Sequence, residues 1–188
     1  GYQQDFRNIM MAYSDNMGHS EWMDIYKKLI FWELELEQTG EKEMTEIFEK
    51  QKEEANINFS KFVMNNYMSW LNDPNMDKPI LSHQLLKKKV FPMLNQFDST
   101  FFILLDNLRY DQWKTLESVL SDYFNTVEED SYYSILPTAT AFARNSIFSG
   151  MLPSEMEKHH SDIWINDDDD EGESRNSHEE EFLKRQLD

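Results

Sequence analysis

Two short stretches of the 188-residue chain carry residue types that could do chemistry together. The first is Phe101-Phe102-Ile103-Leu104-Leu105, followed by Asp106-Asn107-Leu108-Arg109. Five apolar residues in a row read as a fully buried strand, which delivers the Asp106 carboxylate at its C-terminal end. The second is Ser134-Ile135-Leu136, followed by Pro137-Thr138-Ala139-Thr140 and a helical run that closes on Gly150. It reads as a second strand that delivers hydroxyls at the start of a helix. Sites in open parallel sheets form outside the carboxyl ends of the strands, so Asp106 and the Thr turn are expected together. The plainer reading of both is capping, the commoner task of an Asp or Thr at a helix start. The sharper one is phosphoryl chemistry. Unpaired N–H groups at a helix N-terminus hold a phosphate, and a Thr hydroxyl beside them can attack it once activated, for instance by a metal. An Asp and a Thr on neighbouring strand ends can share one divalent ion, a Lewis acid that also lowers the hydroxyl pKa. At this point Thr138 and Thr140 are both open as that hydroxyl.

The elements that must position these groups are legible from periodicity. Phe6, Ile9, Met10 and Tyr13 predict a short amphipathic helix over 3–16. Ser20 is a good N-cap, and Trp22, Ile25, Tyr26, Leu29, Trp32 and Leu36 form a stripe that ends at Thr39-Gly40. A long helix over 41–71 follows, with Asn56 and Asn58 as a place for a kink. Short connections favour antiparallel neighbours, so a three-helix bundle is expected. Asn72-Asp73-Pro74-Asn75 ends it. Ser82 caps a further helix that Pro92 should stop. From Phe97 the pattern becomes strand 101–105, helix 110–123 and strand 132–136, a right-handed parallel βαβ unit. In it Trp113, Leu116, Val119, Leu120 and Phe124 are the inner face of the helix. Helices over 140–149 and 153–160 follow. The fold expected is α + α/β: a helical bundle/linker domain over 1–96, then the first part of a parallel-sheet domain over 97–188. An acidic loop over 166–181 reads as solvated chain rather than as a metal-binding cluster.

Composition narrows the chemistry. The formal net charge is −18 and Cys is absent. A basic nucleic-acid footprint is excluded, and so are disulfides and thiolate metal sites; any metal must be held by Asp, Glu, His or hydroxyl oxygen. With 5 Trp, 8 Tyr and 13 Phe, a packed core is expected. No run approaches a membrane span, no signal-peptide pattern opens the sequence, and a cytoplasmic location is the default. His159, His160 and His178 are expected at the surface rather than as ligands. Because it starts at Gly1-Tyr2 without Met, the sequence reads as an excised piece of something longer.

The segments Leu105-Asp106-Asn107-Leu108-Arg109, Pro137-Thr138-Ala139-Thr140 and Ser146-Ile147-Phe148-Ser149-Gly150-Met151-Leu152-Pro153 resemble the alkaline phosphatase superfamily, and most of all its PglZ branch. Nucleotide pyrophosphatase/phosphodiesterases show the same order of motifs. The likeness is closer still to the PorX-type response regulators of Bacteroidetes, in which a receiver domain and a three-helix bundle precede a PglZ-like domain. It covers most of the chain. It implies an alkaline-phosphatase-like fold, truncated here, with Asp106 as a metal ligand and Thr140 as nucleophile and metal ligand, ahead of Thr138. Asn107, Arg144 and Asn145 become candidate substrate contacts. It further implies two divalent ions, usually zinc, whose remaining ligands lie outside this chain. The parent is then expected to be a zinc-dependent phosphodiesterase or phosphatase, acting on nucleotides or oligonucleotides through a phospho-threonine, and this piece alone to be inactive. Expected partners are a phosphodiester or nucleotide substrate, a second copy in a homodimer, and a sensor kinase acting through a receiver domain absent here. The other reading is a non-enzymatic signalling or dimerisation module of a two-component regulator.

Overall fold

The computed structural model describes Gln4, Asn8 and residues 17–165 and 174–188. The expected helix over 3–16 lies outside the described residues, apart from Gln4 and Asn8. In chain order the helices are α1 (His19–Thr39), α2 (Lys42–Asn72), α3 (Phe91–Leu94), α4 (Tyr110–Leu120), α5 (Thr140–Ser149), α6 (Pro153–His159) and α7 (Glu179–Leu187). A 3₁₀ turn at Ser82–Gln84 and a π turn at Leu86–Val90 lead into α3. The chain forms two compact units, Gly1–Pro79 with Asn107–Glu129 and Ile80–Asp106 with Asp130–Asp188. No described helix is long and apolar enough to cross a membrane.

In the first unit, α1 begins one residue before Ser20. The Glu21 carboxylate accepts the Gly18 N–H at 3.1 Å and so performs the cap. Gly40, at φ 68, ends α1 by donating its N–H to the Leu36 carbonyl. Helix α2 runs without interruption from Lys42 to Asn72, through the Asn56 and Asn58 positions. The Asn58 side-chain amide donates to the Glu54 carbonyl at 3.0 Å, one turn back. Trp22, Ile25, Leu29 and Leu36 of α1 pack with Phe48 and Ala55 of α2, and Trp32, Met44, Phe59 and Phe62 border them. The Trp22 and Phe59 rings meet edge-on at 5.5 Å.

The parallel-sheet part of the expected fold does not form: among the described residues there is no strand and no sheet. A single parallel bridge joins Leu81 and Tyr133, with the Tyr133 N–H on the Ile80 carbonyl at 2.9 Å. A parallel strand needs ladder partners for its backbone and cover on both faces. Residues 101–105 have neither: Phe101 is 90% and Ile103 77% exposed. The βαβ unit is absent for a second reason. Helix α4, expected to cover a sheet, belongs to the helical unit and ends at Leu120 rather than 123. None of its residues is buried, and Val119 and Phe124 of the expected inner face are exposed. Polar contacts fix it instead. The Tyr110 hydroxyl donates to Glu129 at 2.6 Å, Lys114 donates to Glu117 and Glu129 at 2.7 Å each, and the Tyr110 ring lies 5.8 Å from Tyr26.

The second unit has its own core of Leu81, Leu86, Ile135, Ala143, Ile147, Met156 and Phe182. Helices α5 and α6 form where the pattern predicts them. Gly150, at φ 70, ends α5 with its N–H on the Ser146 carbonyl, and the Glu155 carboxylate accepts the Leu152 N–H at 2.8 Å to start α6. The acidic loop expected over 166–181 lies outside the described residues from 166 to 173. From Ser174 the chain makes a turn and enters α7. Phe182, 1% exposed, anchors α7. Gln186 donates to the Ile147 and Phe148 carbonyls at 3.1 and 2.7 Å, which satisfies two acceptors left open at the end of α5.

Candidate active site

The site grows from the start of α5. Ala139 is extended, and its carbonyl accepts the N–H groups of Phe142 and Ala143 at 2.9 Å each. Thr140 is therefore the first helical residue, at the end where N–H groups precede the first intrahelical bond. Its hydroxyl donates to Asp106 Oδ2 at 3.4 Å. Arg144 follows one turn later on the same face of the helix. Its Nη1 donates to the same Asp106 oxygen at 3.0 Å, and its Nε donates to Glu179. Asp106, Thr140 and Arg144 thus converge, although no sheet brings them together. The segment from Ile80 to Asp106, irregular only after α3, does so within the second unit. Thr138 is exposed, and the hydroxyl on Asp106 is that of Thr140.

Asn145 does not face the same space. It is fully buried, and its amide donates to the Ala141 and Arg175 carbonyls at 2.9 Å each. Asn107 adopts φ 59, a left-handed conformation that Asn tolerates better than most residues. It falls in the first unit. Arg109 is engaged by Asp111 at 2.9 and 2.7 Å.

Three residues near the site were not singled out from sequence. Asn176 donates its amide to the Thr140 carbonyl at 3.2 Å, to Asn145 Oδ1 at 3.2 Å and to Glu179 Oε1 at 2.8 Å. Glu179 receives both this amide and the Arg144 guanidinium. The Tyr132 phenol is held above its ordinary pKa by burial and then by the negative charge of Asp106. Asn176 and Glu179 sit in a polar, acidic stretch without periodicity; the nearest usable signal was the lone apolar pair Phe182-Leu183 beyond it.

The histidines are partly as expected. His159 is exposed. His160 and His178 are half-buried rather than at the surface. The His160 ring meets Phe182 edge-on at 5.9 Å, and its Nδ1 lies 3.0 Å from Arg185 Nη1. Burial, then the Arg185 charge, pushes its pKa down, so the neutral ring can accept from the guanidinium.

As a metal site the donor set is hard and oxygen-based, a carboxylate and a hydroxyl that already share one space. That suits a divalent cation. Among the described residues no cluster of three or more His, Asp or Glu completes a coordination shell.

The model of the BREX system PglZ alkaline phosphatase-like domain matches residues 85–187. The model of the PorX response regulator linker domain matches residues 1–71. No curated protein matches the chain.

Proposed function

Since the chain belongs to the PglZ alkaline phosphatase-like family, with a PorX-type response regulator linker before that domain, we propose that it forms part of a metal-dependent phosphohydrolase in a cytoplasmic two-component regulator. The substrate class is a phosphodiester, most simply a nucleotide or oligonucleotide. The observation that carries this reading is the convergence of Thr140 Oγ, at 3.4 Å, and Arg144 Nη1, at 3.0 Å, on one oxygen of Asp106.

Each residue has a task in that reaction. Thr140 supplies the nucleophilic oxygen, which bonds to phosphorus as the bond to the leaving oxygen breaks; water then attacks phosphorus, the bond to Thr140 breaks and the hydroxyl is restored. Asp106 orients the hydroxyl by accepting its proton at Oδ2. The first-turn N–H groups of α5 bind non-bridging oxygens. The Arg144 guanidinium adds charge to the same oxygens. Asn145 holds the backbone beneath Thr140. Asp106 and Thr140 would hold a divalent ion, with zinc the choice the family suggests. When bound, it supplies Lewis acidity and lowers the pKa of the hydroxyl.

A second reading, a signalling module without turnover, is favoured by the linker match over 1–71. One assay separates the two. The full-length protein is tested on bis-p-nitrophenyl phosphate and a cyclic dinucleotide, with zinc and with chelator, as the natural sequence and as Thr140→Ala. Zinc-dependent hydrolysis that Thr140→Ala abolishes is the expected result. Hydrolysis that survives the substitution removes Thr140 as nucleophile. A folded, zinc-loaded protein without hydrolysis favours the signalling module.

A further inference from the structure

We propose that Glu179 and Asn176 are positioning residues that aim the Arg144 guanidinium at the phosphoryl group; this rests on the phosphohydrolase reading above. An Arg side chain on a helix surface has many rotamers, and one that must meet a phosphate gains from being held in place. Here the holding is explicit. Glu179 takes the Nε–H of Arg144 and Asp106 takes Nη1 at 3.0 Å. Among the described residues nothing engages Nη2, and that edge of the fork is the one that would meet a substrate oxygen. Glu179 is itself held by the Asn176 amide at 2.8 Å. That amide also reaches the Thr140 carbonyl and Asn145 Oδ1 at 3.2 Å each. Asn145, fully buried, closes the ring by donating to the Arg175 carbonyl at 2.9 Å. The turn before α7 is thereby fastened to the first turn of α5, so one network fixes both the proposed nucleophile and the proposed anion contact.

The plainer account of Glu179 is a carboxylate in the first turn of α7, where the helix dipole favours it. That role alone would not direct the carboxylate onto a guanidinium of another helix. With side-chain exposures of 26% for Arg144 and 20% for Glu179, the pair is half-buried. It is therefore less screened than a surface ion pair.

The test uses the full-length zinc-loaded protein, with inorganic phosphate as the probe and its affinity read by titration calorimetry. Glu179→Ala is expected to weaken phosphate binding about tenfold, the scale of a lost charge-assisted bond. Glu179→Gln, which keeps an oxygen for Nε–H and for the Asn176 amide, restores most of that loss. It also serves if the Ala variant fails to fold. In an Arg144→Ala background, adding Glu179→Ala produces no further loss, because positioning has no target there. An unchanged affinity in Glu179→Ala, or an equal loss with and without Arg144, overturns the proposal. Diester hydrolysis with phosphate affinity indifferent to Glu179 sinks this inference and leaves the phosphohydrolase reading intact. A protein that neither hydrolyses diester nor binds phosphate sinks both.

Discussion

Asn145 and Arg144 are neighbours in sequence and do different work. The Asn145 amide makes two bonds to main-chain carbonyls in the interior. Asn145→Ala should therefore cost about 2 kcal/mol of stability through unsatisfied buried acceptors, read as a shift of the urea midpoint. Arg144→Ala, which breaks a half-buried ion pair to Glu179 and a more exposed one to Asp106, should cost about 1 kcal/mol, the upper end for a surface pair, while removing the proposed anion contact. A pH dependence follows from Asp162 on the same scale. Hydrogen bonds from Arg185 hold its carboxyl down at about 2, below the unfolded value of about 3.9. The unfolded chain then takes up the proton first as pH falls. The stabilising contribution is complete above about pH 4 and is lost on the way down to about pH 2. Thermal melts of Asp162→Asn should show a shallower acid limb over that window, and the difference should shrink in high salt because the pair is exposed.

At the scale of elements, the helix ends carry the clearest signals. Gly40 and Gly150 both sit in the left-handed region, at φ 68 and φ 70, which only Gly adopts without cost. Their surroundings differ. A Cβ on Gly40 would meet nothing within 4 Å, whereas one on Gly150 would lie 2.9 Å from Gln186 Cδ. Gly40→Ala should cost about 1 kcal/mol, the backbone penalty alone. Gly150→Ala should cost more, about 2 kcal/mol, because Gln186 must also give up the α5 carbonyls it serves. Denaturant titration of the two variants side by side checks the ordering. Phe48, 1% exposed in the contact between α1 and α2, sets the upper end. Phe48→Ala should lose about 3–5 kcal/mol by the same measurement.

At the scale of the whole molecule, a formal charge of −18 over these residues opposes the approach of the anionic substrate proposed above. A basic nucleic-acid-binding protein loses affinity as salt rises. Here the sign is reversed, since screening relieves repulsion between protein and diester. The KM for an oligonucleotide should fall as ionic strength rises from about 0.01 to about 0.15 M, across which the Debye length shrinks from about 30 to about 8 Å. Steady-state kinetics over a salt series measures it, and a KM that climbs with salt would show a local cationic site outweighing the global charge.

The sequence by itself determined the helices whose ends are marked: α1 by Gly40, α5 by the turn before it and Gly150 after it, α6 by Pro153 and Glu155. It also placed Asp106 and Thr140 as two groups to be brought together, because an apolar run and a Pro-Thr-Ala-Thr turn are local patterns. The tertiary structure decided what those patterns pack against. The run over 101–105 has the apolar content of a buried strand, but strand formation depends on partners for its N–H and C=O groups, which no local pattern records. The stripe on α4 looks like a buried face, yet the helix lies in the first unit with none of its residues buried. Asn176 and Glu179 were invisible in sequence for a related reason. A polar side chain becomes part of a site through what lies across from it in space, and spacing along the chain carries no trace of that.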